Sequence, residues 1–223
     1  QLGAELYGSS AIEADSEIIA LMLSTLNCAG VSRPLTLDIG HIGIYDALFS
    51  NAGLDAELEN QIFDALQRKS GPDIERLSAS LPVKVAERLR QLASLHGSSD
   101  VLTNAPAVAA ALDQLDAVLA QVQEAFPGVG VYVDLTELRG FRYHTGLVFA
   151  VYLEDRGSAV AKGGRYDNIG AVFGRDRPAT GFAIDLKVLV DDATRSDTAD
   201  VPVIAPQSND AALRAAVTVL RSA

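Results

Sequence analysis

The hydrophobic period changes twice along the chain, and those two changes limit what it can fold into. From Leu54 to Phe126 the sequence is rich in Ala, Leu, Glu, Gln and Arg, with breaks at 70–73 (SGPD), 80–82 (SLP) and 96–100 (HGSSD). Such a segment reads as consecutive helices without strands. Its last member, about 105–126, carries Leu112, Leu115, Val118, Leu119 and Val122 on one face. On both sides of this segment the period is two. PLTLDIGH alternates at Leu35, Leu37 and Ile39, and after PGVG come the runs VYVDLTEL, TGLVFAVYLED and SAVAKGG, with Asp155, Arg156 and Gly157 as a hairpin turn. Strands, then helices, then an antiparallel meander make an α+β chain with a helical insertion.

The punctuation adds detail. Ser10 and Glu13 fit a capping box ahead of a helix over about 11–29, in which Ile18, Leu21, Met22 and Leu26 recur at helical spacing until Gly30. A second, short helix is expected over about 44–52, before Gly53. A helix start is expected around PATGFAIDLKVLVDD, 178–192. A polar linker at 194–200 and a strand VPVIA leading into a helix then read as the opening of a small α/β appendage. The expected organisation is a core in two parts, 1–53 and 127–195, interrupted by the insertion 54–126 and followed by the appendage 196–223. Gln1 opens directly on an alternating run, and ALRAAVTVLRSA ends without a helix cap, so further residues are expected on both sides.

Composition removes several function classes. With 29 acidic and 18 basic residues among 223 the net charge is −11, which lacks the electrostatic footprint of phosphate binding and argues against tRNA as a partner. Cys28 is the only cysteine, so an internal disulfide and a cysteine cage for a metal are both impossible; a reducing compartment, by default the cytoplasm, is expected. His41, His96 and His144 are the only histidines and share no metal-ligand spacing, so no metal site is expected. No apolar run approaches the ~20 residues of a membrane span, and no membrane partner is expected. Nucleophile-elbow, Walker-type and dinucleotide-binding glycine motifs are all missing from the sequence.

Polar residues gather in four places: Gln1 and Glu5; Arg139, Arg142, Tyr143 and His144; Lys162 to Asp167 (KGGRYD); and Arg175 to Thr180 (RDRPAT). On an alternating strand Gln1, Gly3 and Glu5 share a face, the glycine leaving room between a carboxamide and a carboxylate. That arrangement suits a ligand ammonium or imidazole, although on these residues alone Glu5 reads equally well as a solvated side chain. In KGGRYD the paired glycines suggest a bulge or a close backbone approach that sets Tyr166 at a sheet surface. Arg165 by itself reads as a partner for Asp167 or a helix cap.

Taken together, QLGAELYG, LDIGH, LRGFRYHTGLVF, KGGRYD and PATGFAIDL occur in the order and approximate spacing of the histidyl-tRNA synthetase catalytic domain. The chain resembles that class II synthetase family over nearly its whole length. The resemblance implies a class II synthetase-like antiparallel sheet flanked by helices. By position it places Gln1, Glu5, Tyr143, His144 and Tyr166 around the amino group and imidazole of histidine. It places Arg139 where the synthetase has an arginine supporting attack of the histidine carboxylate on ATP.

The departures from that pattern are specific. The family reads RGLDYY where this chain has Phe141, Arg142, Tyr143 and His144, so histidine recognition is expected to be altered. Motif 3 of the family ends in glycine, leucine, glutamate and arginine, whereas the matching run here is Asp185, Leu186, Lys187 and Val188. Valine cannot replace the charge-assisted contacts of that arginine to ATP, and Lys187 points about 100° away on a helix. Adenylation of histidine is therefore expected to fail. GGRYDNIGAVFGRDRPATGFAIDL is similar to a paralogue family, the regulatory subunit of ATP phosphoribosyltransferase, including the aspartate at the motif 3 glycine. Membership there implies a catalytically inactive subunit without a cofactor, forming a homodimer within a hetero-oligomer. It would activate a short-form catalytic subunit in the first step of histidine biosynthesis and take part in feedback control by histidine. A histidyl-tRNA synthetase-like enzyme that activates histidine with ATP is the alternative.

Overall fold

A computed structural model describes residues 1–49, 52–97, 108–136, 143–154, 156–168, 170, 174–192, 210, 212–213 and 215–217. Residues 1–193 form one compact unit and 194–223 a second. In the second, residues 212–213 and 215–217 are helical, and Asp210 Oδ1 accepts the Ala212 N–H at 2.9 Å. The linker and strand expected at 194–205 lie outside the described residues.

The first unit follows the alternation of periods. Strand β1 (Leu2–Tyr7) leads into helix α1 (Ile12–Cys28), strand β2 (Leu35–His41) and helix α2 (Ile42–Phe49). Then come α3 (Ala56–Gln67), α4 (Gly71–Ser78), α5 (Val83–Ser94), a two-residue β3 (His96–Gly97) and α6 (Ala109–Ala125). Strands β4 (Gly130–Asp134), β5 (Leu147–Leu153), β6 (Ala161–Arg165) and β7 (Ala179–Ile184) precede helix α7 (Leu186–Asp192). All seven strands join one sheet in the order β1-β7-β6-β5-β2-β4-β3. Every pairing is antiparallel except β2 with β4. Helix α1 therefore carries the chain from the edge strand β1 across β7, β6 and β5 to β2. It contributes buried Ile18, Ile19, Met22, Leu23 and Leu26 to a core shared with Leu112, Leu115, Val118, Leu119 and Val122 of α6.

Several expectations are corrected. No capping box forms at α1: Ala11 is the N-cap without a side-chain bond, and Ser9 Oγ accepts the Ala11 N–H instead. Leu21 is exposed, while Ile19 and Leu23 are buried, because the helix is covered on a face shifted toward them. Helix α2 begins at Ile42, directly after β2, and ends at Phe49. The segment PATGFAIDL is first a strand, β7, because β1 and β6 pair with both of its edges; the helix begins only at Leu186. Strand β4 is parallel to β2 and stands outside the meander, since α6 returns the chain to the sheet in the same sense as β2. The insertion is interrupted by β3, which pairs with β4.

Candidate functional site

A cleft of about 810 Å³ lies on one face of β1, β7, β6 and β5. Strand register explains why the sheet surface is cleared there. Glu5 is opposite Gly181, Gly181 opposite Gly164, and Gly164 opposite Val148, forming one row across four strands. The parallel row two residues away runs Gly3, Ala183, Lys162 and Ala150. Side chains two residues apart on a strand share a face, so both rows look into the cleft over a floor of glycine and alanine. The small residues are required. A Cβ on Gly181 would overlap the Glu5 carboxylate, and one on Gly164 would lie 2.7 Å from Nδ1 of His144.

Glu5, Tyr143, His144 and Tyr166 come together at this surface. Buried Tyr166 donates its hydroxyl to Glu5 Oε2, joining β1 to the residue that follows β6. The Tyr143 ring lies over Tyr166 at 5.0 Å between centroids, tilted by 31°. His144 meets Tyr143 edge-on at 5.2 Å and 87°, and Tyr166 at 6.5 Å. His144 Nδ1 donates to the Arg165 carbonyl at 3.2 Å, which orients the ring. Desolvation by the cleft walls pushes the Glu5 carboxyl above its ordinary value. Desolvation, with Glu5 and then Tyr7 nearby, raises Tyr143. Gln1 lines the same cleft, whereas Arg139 and Arg142 lie outside the described residues.

Of the two arrangements expected for KGGRYD, the close backbone approach is present and the bulge is not: β6 keeps a regular ladder, and Gly163 sits under the Phe149 ring and against the Gly181 carbonyl. Arg165 points to the opposite face. It reaches Asp15 at 3.0 Å and Asp167 at 3.0 Å, and donates to the carbonyls of Ser9 and Ala11 at 3.1 and 3.2 Å. The pairing with Asp167 was legible from sequence; the buried partner Asp15, 150 positions away, was not. Lys162 also lines the cleft and was not singled out, although alternation along β6 places it on the face of Gly164 and Tyr166. At the far end stand Asp185 and Val188. Among the described residues there is no His, Cys, Asp and Glu cluster fit to hold a metal ion, and no helix is long and apolar enough to cross a membrane.

The mostly antiparallel sheet, its helical cover and the cleft on its open face are those of a class II synthetase-like domain. The chain belongs to the histidyl-tRNA synthetase family, whose family model matches residues 1–189. Over all of its length it is 49% identical to an ATP phosphoribosyltransferase regulatory subunit of Ectopseudomonas mendocina, of which it covers 58%. It thus spans little more than half of the curated relatives it matches. Among solved structures it is similar to an ATP phosphoribosyltransferase regulatory subunit/histidyl-tRNA synthetase from Bacillus halodurans. The TM-score is 0.75 at 28% identity, over 86% of this chain and 52% of that one. The fold also matches a chain of the ATP phosphoribosyl transferase (HisG:HisZ) complex from Thermotoga maritima, with a TM-score of 0.66 at 23% identity, over 82% of this chain and 64% of that one.

Proposed function

We propose that the chain is the synthetase-like part of a cytoplasmic, non-catalytic regulatory subunit of ATP phosphoribosyltransferase. It activates a short-form catalytic subunit in the first step of histidine biosynthesis, and its cleft, lined by Gln1, Glu5, Tyr143, His144 and Tyr166 with Arg139 beside them in the resemblance, takes histidine for feedback control. The observation that carries this reading is the mismatch between the two ends of one cleft. One end keeps a carboxylate, hydroxyls and ring faces suited to an ammonium and an imidazole. The other ends in Val188, whose side chain makes no charge-assisted bond, while Lys187 beside it is exposed. A site of this kind binds an amino acid without activating it.

Regulation requires that ligand and partner each favour one of two arrangements of the assembly by differential affinity. The homodimer within a hetero-oligomer belongs to the same reading, as does the absence of tRNA and cofactor. The test is reconstitution of the full-length protein with a short catalytic subunit. The expected outcome is a rise in the rate of ATP condensation with phosphoribosyl pyrophosphate and its suppression by histidine; an unchanged rate overturns the reading. The alternative, a histidine-activating enzyme, is favoured by the retained Glu5 and Tyr166 pair. Histidine-dependent exchange of pyrophosphate into ATP would support it, and Val188 predicts none.

A further inference from the structure

Helix α3 ends in a turn that is ordinarily built around glycine. The Ser70 N–H bonds the Ala65 carbonyl and the Lys69 N–H bonds the Leu66 carbonyl, both at 2.9 Å, a closure that puts the residue after the helix cap in the left-handed region. That residue is Lys69, at φ 51°, and among the described residues it is the only one other than glycine with positive φ. A side chain in this conformation carries a steric cost that glycine avoids, and such an outlier persists where the surroundings hold it. What holds Lys69 is the reach of its side chain onto β4. Its Nζ lies 2.8 Å from Asp134 Oδ2, donates to the Tyr132 hydroxyl at 3.3 Å, and stands 5.1 Å from the centre of the Tyr132 ring.

The Asp134 side chain is only 6% exposed, and its other oxygen, Oδ1, accepts the N–H and the hydroxyl of Thr136. Without Lys69 this carboxylate would stay buried with no counter-ion among the described residues, which makes the pair worth far more than an exposed one. The other ion pairs of segment 56–94 are exposed and internal. Arg68 at the end of α3 meets Asp73 of α4, Arg76 meets the same Asp73, and Arg90 of α5 meets Glu75 of α4, so the three helices are tied to one another. Among the described residues Lys69 is the one charged side chain of the segment paired with a carboxylate outside it. We propose that Lys69 is a latch. Added to the core that α3, α4 and α5 share with the sheet, its ion pair with Asp134 clamps these helices onto β4, and they open together, as one unit, when the pair is broken. Helix α6, packed on α1, stays with the sheet. The latch acts whatever the cleft binds.

Native-state hydrogen exchange of the full-length protein, read element by element, tests this. In the wild type the slowest amides of α3, α4 and α5 are expected to share one opening, easier than that of α6 and β5. Lys69→Met keeps the stem and the left-handed backbone but removes the charge. It is expected to speed exchange in all three helices together by on the order of tenfold to a hundredfold, the range of a hydrogen bond to a charged group, with α6 and β5 still the slower. Lys69→Gly relieves the backbone and is still expected to speed exchange, because the lost pair outweighs the relief. Lys69→Met combined with Asp134→Asn is expected to fall well short of the product of the two separate effects. Exchange of α3, α4 and α5 through the same opening as α6 and β5 in the wild type, or rates there that Lys69→Met leaves unchanged, overturns the proposal. Slower exchange in Lys69→Gly overturns it as well, and so does a full product in the double variant.

Discussion

Gly43 donates its N–H to Nδ1 of His41 at 3.0 Å, and Nε2 of the same ring faces Gln114 Oε1 at 2.9 Å. A neutral imidazole with its proton on Nε2 satisfies both neighbours, whereas an imidazolium would turn a second donor toward the Gly43 N–H. Burial lowers the His41 pKa, with the Gln114 contact pulling the other way. Because the folded-state pKa lies below the unfolded value of about 6.5, the unfolded chain takes up the proton first. The contribution of His41 to stability is therefore complete above about pH 6.5 and is lost as pH falls through the folded pKa. Urea midpoints measured from pH 7.5 to 5 should fall less steeply in His41→Gln than in the wild type, a difference of at most ~1.4 kcal/mol per pH unit. Parallel curves would show that His41 does not titrate on unfolding. At this scale the sequence was only partly informative. The spacing of the three histidines gave no reason to expect a metal site, but the partners of His41 come from the first turn of α2, two residues on, and from α6, 73 positions away.

Element by element, Arg165 ties the start of helix α1 to β6. Helix α1 starts without a side-chain cap, and the guanidinium from β6 takes the carbonyls of Ser9 and Ala11 just before it, as well as the Asp15 carboxylate inside its first turn. Both members of the pair are buried. Removing one leaves the other charged and unsolvated, so Arg165→Met is expected to cost about 3–5 kcal/mol, and Asp15→Leu combined with it should recover part of the loss. Denaturant titration of the single and double variants decides this; additive losses would rule out a coupled pair. The Ser10 capping box was a sound local inference, but the helix takes Ala11 as its N-cap and Ser9 Oγ accepts the Ala11 N–H. Likewise, 178–192 could be read as a helix start because a short apolar run does not distinguish a buried strand from a helix. Pairing on both edges made its first half a strand.

For the molecule as a whole, the insertion shares its core with the sheet. Ile62, Leu66, Leu77 and Leu89 belong to the same buried cluster as Leu37, Val151 and Ile184, and fully buried Leu115 on α6 lies within it. Leu115→Ala is expected to cost about 2–5 kcal/mol. Since one core serves both parts, native-state hydrogen exchange should show the slowest amides of α6 and of β5 losing protection by the same amount. A loss confined to α6 would mean that the insertion opens independently.

The sequence by itself determined the alternation of periods, hence the number and kind of most elements, and the five ordered segments that mark the family. It also set Val188 where the resemblance expects the motif 3 arginine, because the identity of a residue needs no coordinates. Only the tertiary structure decided which strands are neighbours. Pairing is non-local, and its free energy comes from side chains meeting across strands and from burial, which local periodicity does not encode. That is why β4 parallel to β2, Asp15 against Arg165, and Glu5 over Gly181 and Gly164 beside Tyr166 became visible only once the strands stood side by side.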